Sequence, residues 1–347
     1  MTTPRRLPGD FSRSAAYPLY AFDAAQDRAW VLHFGPEDYR RASFLDQRAL
    51  HHREIAGWTV SRAELDAALD SAPARGRPHW LFHIGHCGST LVSRLMDLVP
   101  GVLGVREPLP LLTLASARND AATQSWCGTV LHLLARGFDD TRAVIVKPTS
   151  LVATMAGELL HGSGKGCLLW VDLQTWLATM LREKGLTDTV FDSEDLRLAG
   201  SGLVGSGLDR APLPDGSRLS RAWLAEQLRW QRLMADPALS PRLMDLDFAS
   251  LLADPAAVSA RLAAHYGLEV PADWARRIED SGLLTRYAKD DAQQFDAQTR
   301  ERELTAAADR HASAIAEGLR WAEAAIDQLD LPSLAGRLRR GPGPTPD

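Results

Sequence analysis

From His79 onward, short apolar runs alternate with helical segments, and this alternation restricts the fold more than any other feature of the chain. The runs 79–84, 101–105, 142–146, 166–171 and 242–248 have strand length and apolar character. Helical periodicity fills 90–98, 121–136, 151–160 and 173–184 between them. Such a pattern requires crossover connections, and therefore a parallel sheet buried under helices on both faces. The expected fold is α/β, with a central parallel sheet flanked by helices in three layers. In such sheets ligands bind beyond the carboxyl ends of the strands.

The chain has 347 residues, which fits one large domain with additions. Residues 1–78 read as an N-terminal extension, with a strand over 28–34 and a helix opened by Ser61 and Glu64 in capping-box spacing. Residues 72–78 are punctuated by Pro and Gly, as a linker would be. The α/β domain is expected over 79–330 and a disordered tail over 331–347. Five glycines and two prolines within 199–219 mark a mobile loop, an insertion or a lid.

Net charge is −5, so nothing implies affinity for nucleic acid or for an anionic membrane. No window reaches the ~18 apolar residues of a membrane span, and no signal peptide is evident, so a cytoplasmic protein is expected. The three cysteines, Cys87, Cys127 and Cys167, form neither a disulfide framework nor zinc-ligand spacing. Only Lys147, Lys165, Lys184 and Lys289 are lysines among 39 basic residues, an arginine bias expected of a GC-rich bacterial genome.

The strongest local signal is 81–92, LFHIGHCGSTLV. An apolar strand runs into a glycine turn, and Ser89 and Thr90 then open an apolar helix. Backbone N–H groups in such a turn, with the positive helix end behind them, form a nest for an anion. A plain serine-capped strand-to-helix turn has the same local pattern. No lysine precedes Ser89, so this is not a Walker A loop.

The segment resembles the 5′-phosphosulfate loop of the sulfotransferase superfamily, Pro-Lys/Arg-Ser-Gly-Thr-Thr, at Gly85, His86, Cys87, Gly88, Ser89 and Thr90. Glu107-Pro108 resembles the Glu-Pro pair of bacterial members, and Lys147-Pro148-Thr149 the Lys-Thr-Pro step. Residues 171–179 resemble the Arg-Asp-Pro…Ser element, and 247–268 the Tyr-Glu-Asp-Leu…Asp-Pro…Phe-Leu-Gly-Leu segment. The resemblance implies a P-loop-like fold and 3′-phosphoadenosine 5′-phosphosulfate (PAPS) as co-substrate, without a metal. It also implies a small-molecule acceptor with a hydroxyl or amine. Gly85–Thr90 would hold the 5′-phosphate side. Two departures stand out: His86 replaces the family's basic residue, and Val171 its 3′-phosphate arginine. Thr179 and a C-terminal cation, Lys289 first and Arg286, Arg300 or Arg302 next, are then expected at the 3′-phosphate.

Sulfuryl transfer needs a base for the acceptor proton and donors for the departing phosphate. The strand-end rule brings His86, Glu107 and Lys147 together. Glu107 is the candidate base, unless it only caps the next helix. His86 is the candidate donor to phosphate, and Lys147 the neutralising or orienting cation. A histidine is charged only below a pKa near 6.5, so donor affinity is expected to fall with rising pH. His83 reads as a core histidine, the tryptophans as packing residues, and Cys87 as a remote candidate nucleophile. Two other functions compete: an ATP-dependent phosphotransferase using Asp172 or Asp247 for Mg²⁺, and a non-catalytic nucleotide-binding or interaction protein.

Overall fold

The computed structural model describes residues 6–45, 55–69, 77–162, 164–209, 212–287, 290–294 and 297–339. Five parallel strands form the central sheet: β4 (His79–His83), β5 (Val102–Arg106), β6 (Ala143–Lys147), β7 (Gly166–Trp170) and β8 (Leu243–Asp247). Their order is β5-β6-β4-β7-β8. The chain leaves central β4 for the β5 edge, returns through β6, and then crosses to β7 and β8. The connection direction therefore reverses around β4, where an open α/β sheet forms its crevice. Apolar side chains dominate these strands because helices cover both faces, and Leu81, Phe82, Val146 and Leu169 are fully buried.

The register levels the carboxyl ends. Arg106 pairs with Lys147 across β5 and β6, and Trp170 pairs with Asp247 across β7 and β8. Residues just beyond the strands thus share one rim.

The N-terminal portion holds more structure than its sequence suggests. β1 (Leu19–Asp23), β2 (Arg28–Leu32) and β3 (Gly57–Val60) form an antiparallel sheet. Four- and five-residue strands carry too little alternation to be read alone, which is why only β2 was legible. The capping box forms as expected: Ser61 N–H donates to Glu64 Oε2 (2.7 Å), and Glu64 N–H donates to Ser61 Oγ (3.2 Å). Phe22 stacks on Trp126 at 4.7 Å, fastening this sheet to the α/β core. Arg136 does more: buried, it donates to the carbonyls of Phe11, Tyr17 (2.6 Å) and Leu133 (3.1 Å).

Several boundaries move. The helix expected over 121–136 breaks into Ala121–Gln124 and Cys127–Leu134. That over 151–160 starts as a 3₁₀ turn, Ser150–Met155, before Ala156–Gly162. The helix expected over 173–184 ends at Leu181, and a second spans Lys184–Asp192. The described part of the glycine-rich stretch is tied to the neighbouring helix. Leu203 is fully buried, and Arg229, Arg232 and Arg221 donate to the carbonyls of Ala199, Gly200 and Asp209. These arginines lie on the Asp215–Ala235 helix, whose start falls inside the expected loop.

The tail does not begin at 331. Pro332–Arg337 forms a 3₁₀ turn with Leu334 buried, and Arg337 pairs with Asp245 of β8 (2.5 Å). Residues 340–347 lie outside the described residues. Among the described residues, no helix is long and apolar enough to cross a membrane.

Replacing Arg136 with Met should cost about 2–3 kcal/mol in urea unfolding, because buried carbonyls of the N-terminal portion lose their donor. Unchanged stability would show that this portion is held by apolar contacts alone.

Candidate functional site

The Gly85–Thr90 loop runs from the end of β4 into the first residues of the Ser89–Asp97 helix, at the centre of the rim. Three of its residues are left-handed: Gly85 (φ 87°), His86 (φ 51°) and Gly88 (φ 84°). Left-handed residues interspersed in a turn point successive N–H groups into one concavity, which suits an anion. The first amides of the helix also lack intrahelical acceptors. His86 adopts this conformation without being glycine, at a cost of about 1–2 kcal/mol, and it is exposed. Strain of this kind persists only where the surroundings enforce it.

Those surroundings are identifiable. Gly85 N–H donates to His83 Nδ1 (3.1 Å), so the His83 proton sits on Nε2, which donates to the Pro148 carbonyl (2.9 Å). The buried imidazole is thus a core histidine that ties the β4 loop to the β6 loop. Trp176 Nε1–H donates to the Gly85 carbonyl (2.9 Å), and Trp223 Nε1–H to the Val171 carbonyl (3.1 Å). Both tryptophans pack as expected, but their indoles also fix the two loops. Gly88 has no room for a side chain: a Cβ there would lie 2.2 Å from the Phe248 ring.

Cys87 points inward. Its Sγ lies 3.5 Å from the Leu169 carbonyl, and burial pushes its thiol up to about 12. A buried, protonated thiol is no nucleophile at neutral pH, so the remote cysteine role is excluded.

At the neighbouring strand ends, Lys147 and Glu107 form a buried ion pair, Nζ to Oε1 at 2.5 Å. Their lysine and glutamate side chains are 1% and 13% exposed. Glu107 N–H donates to the Lys147 carbonyl (2.6 Å), and Glu107 itself is left-handed (φ 51°). It does not cap the following helix, whose N-cap is Pro108 and which has no side-chain cap bond. The Lys147 ammonium also lies 5.5 Å from the Phe44 ring centroid, so the N-terminal portion contributes a wall here. An apolar cavity of about 40 Å³ lies behind Pro108, among Tyr39, Phe34 and Val105.

Beyond β7 a cleft of about 340 Å³ is lined by Val171, Thr175, Ala178, Ala249, Arg300 and Leu304, among others. Thr179 lies one turn further on and donates its hydroxyl to the Thr175 carbonyl (2.9 Å), so Thr175 lines the cleft instead. The Arg300 guanidinium enters it 5.3 Å from the Phe248 ring centroid. Arg302 bonds Thr299 on the exposed side. Lys289 lies outside the described residues, and so does the side chain of Arg286. Asp172 and Asp247, the carboxylates a phosphotransferase would need, are helix N-caps. Asp172 accepts from Thr175 N–H (2.9 Å), and Asp247 from Ser250 N–H (3.0 Å).

The sequence matches no family model and no curated protein. Several solved structures do resemble the chain. One is the sulfotransferase domain from the curacin biosynthetic pathway, at 11% identity over 70% of this chain and 99% of that one, TM-score 0.36. Sulfotransferase STF9 from Mycobacterium avium has 13% identity over 72% and 81%, TM-score 0.39. Mouse sulfotransferase SULT7A1, complexed with PAP, has 12% identity over 80% and 98%, TM-score 0.36. All three are sulfotransferases, and the resemblance is distant.

Two measurements test the loop. Gly88→Ala should lower stability by more than the ~1–2 kcal/mol of left-handed strain, and Phe248→Ala in that background should recover part of the loss. Strictly additive losses would show that the ring does not confine Gly88. A thiol reagent at pH 8 should label half-buried Cys127 before Cys87, as read by mass spectrometry; early labelling of Cys87 would mean that the loop opens.

Proposed function

We propose that this chain is a sulfotransferase-like enzyme that binds PAPS at the Gly85–Thr90 loop and sulfurylates a hydroxyl or amine of a small molecule. The observation that carries this reading is the left-handed nest at the centre of the rim, with a carboxylate–ammonium pair at the next two strand ends. The residues fit such a donor: the loop offers amides and the Ser89 and Thr90 hydroxyls to a phosphate, and the adjoining cleft offers Arg300 and Thr175.

Bound there, the donor supplies an electrophilic sulfuryl group whose bond to the 5′-phosphate breaks as the acceptor heteroatom bonds sulfur. Glu107 takes the acceptor proton. Lys147 balances the carboxylate charge before that transfer, and so keeps a buried anion affordable in free-energy terms. The loop amides and His86 hold charge on the phosphate side, where fixed dipoles need no reorganisation. Arg300 takes the place of the arginine missing at Val171 and faces the 3′-phosphate. Lys289 remains a candidate second cation on sequence grounds. Capping by Asp172 and Asp247 leaves no observation in favour of the phosphotransferase alternative.

Thermal shift with 3′,5′-ADP, 5′-AMP and ATP–Mg²⁺ tests the nucleotide. At 100 times its dissociation constant, 3′,5′-ADP should stabilise the fold by about 2.7 kcal/mol. Arg300→Ala should abolish its preference over 5′-AMP. Equal binding of the two by the unaltered protein would remove the 3′-phosphate site, and the sulfotransferase reading with it. Once an acceptor is found with radiolabelled PAPS, Glu107→Gln should lower kcat about 10²–10⁴-fold. Binding of 3′,5′-ADP without transfer by any tested hydroxyl or amine would favour the non-catalytic alternative.

A further inference from the structure

The phosphate loop carries no lysine or arginine between Ile84 and Ser93, and Lys147 is engaged with Glu107. A multiply charged phosphate on that loop still needs a nearby positive charge. One approaches from behind. Ser150, the first residue of the 3₁₀ turn after β6, places its Oγ 3.2 Å from where a Cβ on Gly85 would stand. The same Oγ accepts a hydrogen bond from Arg197 Nη2 (3.0 Å).

Arg197 belongs to a buried cluster. Its Nε donates to Ser193 Oγ (2.9 Å), and its Nη1 faces Glu226 Oε1 at 3.3 Å. Arg229 holds the other Glu226 oxygen more closely, at 2.7 Å, and also donates to the Arg197 carbonyl (2.5 Å). Arg197, Glu226 and Arg229 are 5%, 3% and 8% exposed. The neighbouring acid, Glu194, is claimed by Arg221 (2.7 Å) and Arg218 (2.5 Å). Two guanidinium groups therefore share one carboxylate, and the shorter contact goes to Arg229. The cluster therefore keeps one net positive charge, and its Arg197 Nη2 is the nitrogen that points at Ser150. An uncompensated buried cation is costly, and an incoming anion would relieve that cost.

We propose that the Arg197–Glu226–Arg229 cluster supplies the missing cation of the phosphate loop, and that the Ser150 hydroxyl hands its charge on by donating directly to a phosphate oxygen. The chemistry follows from hydroxyl geometry. With one lone pair of Oγ taken by the guanidinium, the proton turns away from Arg197, and the polarised O–H becomes a stronger donor. Glycine at 85 lets the hydroxyl abut the loop backbone. Ser150 is then a ligand-binding residue and Arg197 a positioning residue acting through it. This inference rests on the phosphate-loop reading above.

Calorimetric titration with 3′,5′-ADP, paired with urea unfolding, tests it on the full chain. Ser150→Ala should weaken binding by the folded protein about tenfold while unfolding stays a single cooperative transition, and Ser150→Thr should restore binding to within about threefold of the unaltered protein. Arg197→Met should weaken binding at least as much, and adding Ser150→Ala to it should cost little more, because both act through one hydrogen bond. Should Arg197→Met fail to fold, the alanine–threonine pair at 150 still decides. Binding by Ser150→Ala equal to that of the unaltered protein overturns the inference alone. Absence of binding by the unaltered protein overturns the phosphate-loop reading, and this inference falls with it.

Discussion

Everything at the rim depends on one buried imidazole. His83 accepts the Gly85 amide on one nitrogen and donates to the Pro148 carbonyl with the other. Its tautomer is therefore assigned by its partners. Through these two bonds, the loop after β4 and the segment after β6 become one unit. Glu107 joins it through its amide bond to the Lys147 carbonyl. A strained loop of left-handed residues can survive only inside such a frame, and the Trp176 and Trp223 indoles close it from the β7 side.

Charge at this rim is arranged by pairing rather than by exposure. Lys147, conspicuous in a chain with few lysines, stands beside a carboxylate and an aromatic ring. Arg300 reaches the far cleft from the helix Ala297–Arg310, distant in sequence from the strand end it complements. Arg197 lies buried behind the loop, on the Ser150 hydroxyl.

The N-terminal portion belongs to the same arrangement. Buried Arg106 donates to the carbonyls of Tyr39 (2.7 Å) and Ala42 (3.0 Å) and pairs with Asp97, and burial lowers its guanidinium to about 9. Leu45 N–H then donates to the Arg106 carbonyl (2.7 Å). These bonds set Phe44 over Lys147. What reads along the chain as an extension thus packs against the Lys147–Glu107 end of the rim.

The sheet and its loop were legible along the chain because both are local. Apolar runs of strand length, a glycine turn and hydroxyls at a helix start need no distant partner to be recognised, and a parallel sheet then dictates that Glu107 and Lys147 share a rim. Tertiary structure decided what depends on partners far apart in the chain. Thr179 bonds its own helix while Thr175 lines the cleft, a difference of one turn that no motif spacing resolves. Cys87 turns into the core because the Leu169 strand passes beneath it. Ser150 and Arg197 carry no sequence signal, since their significance arises only when a 3₁₀ turn, a buried helix and the loop converge in space. Local order follows from nearest-neighbour chemistry, whereas the placement of charge follows from which distant segments the packed core brings together.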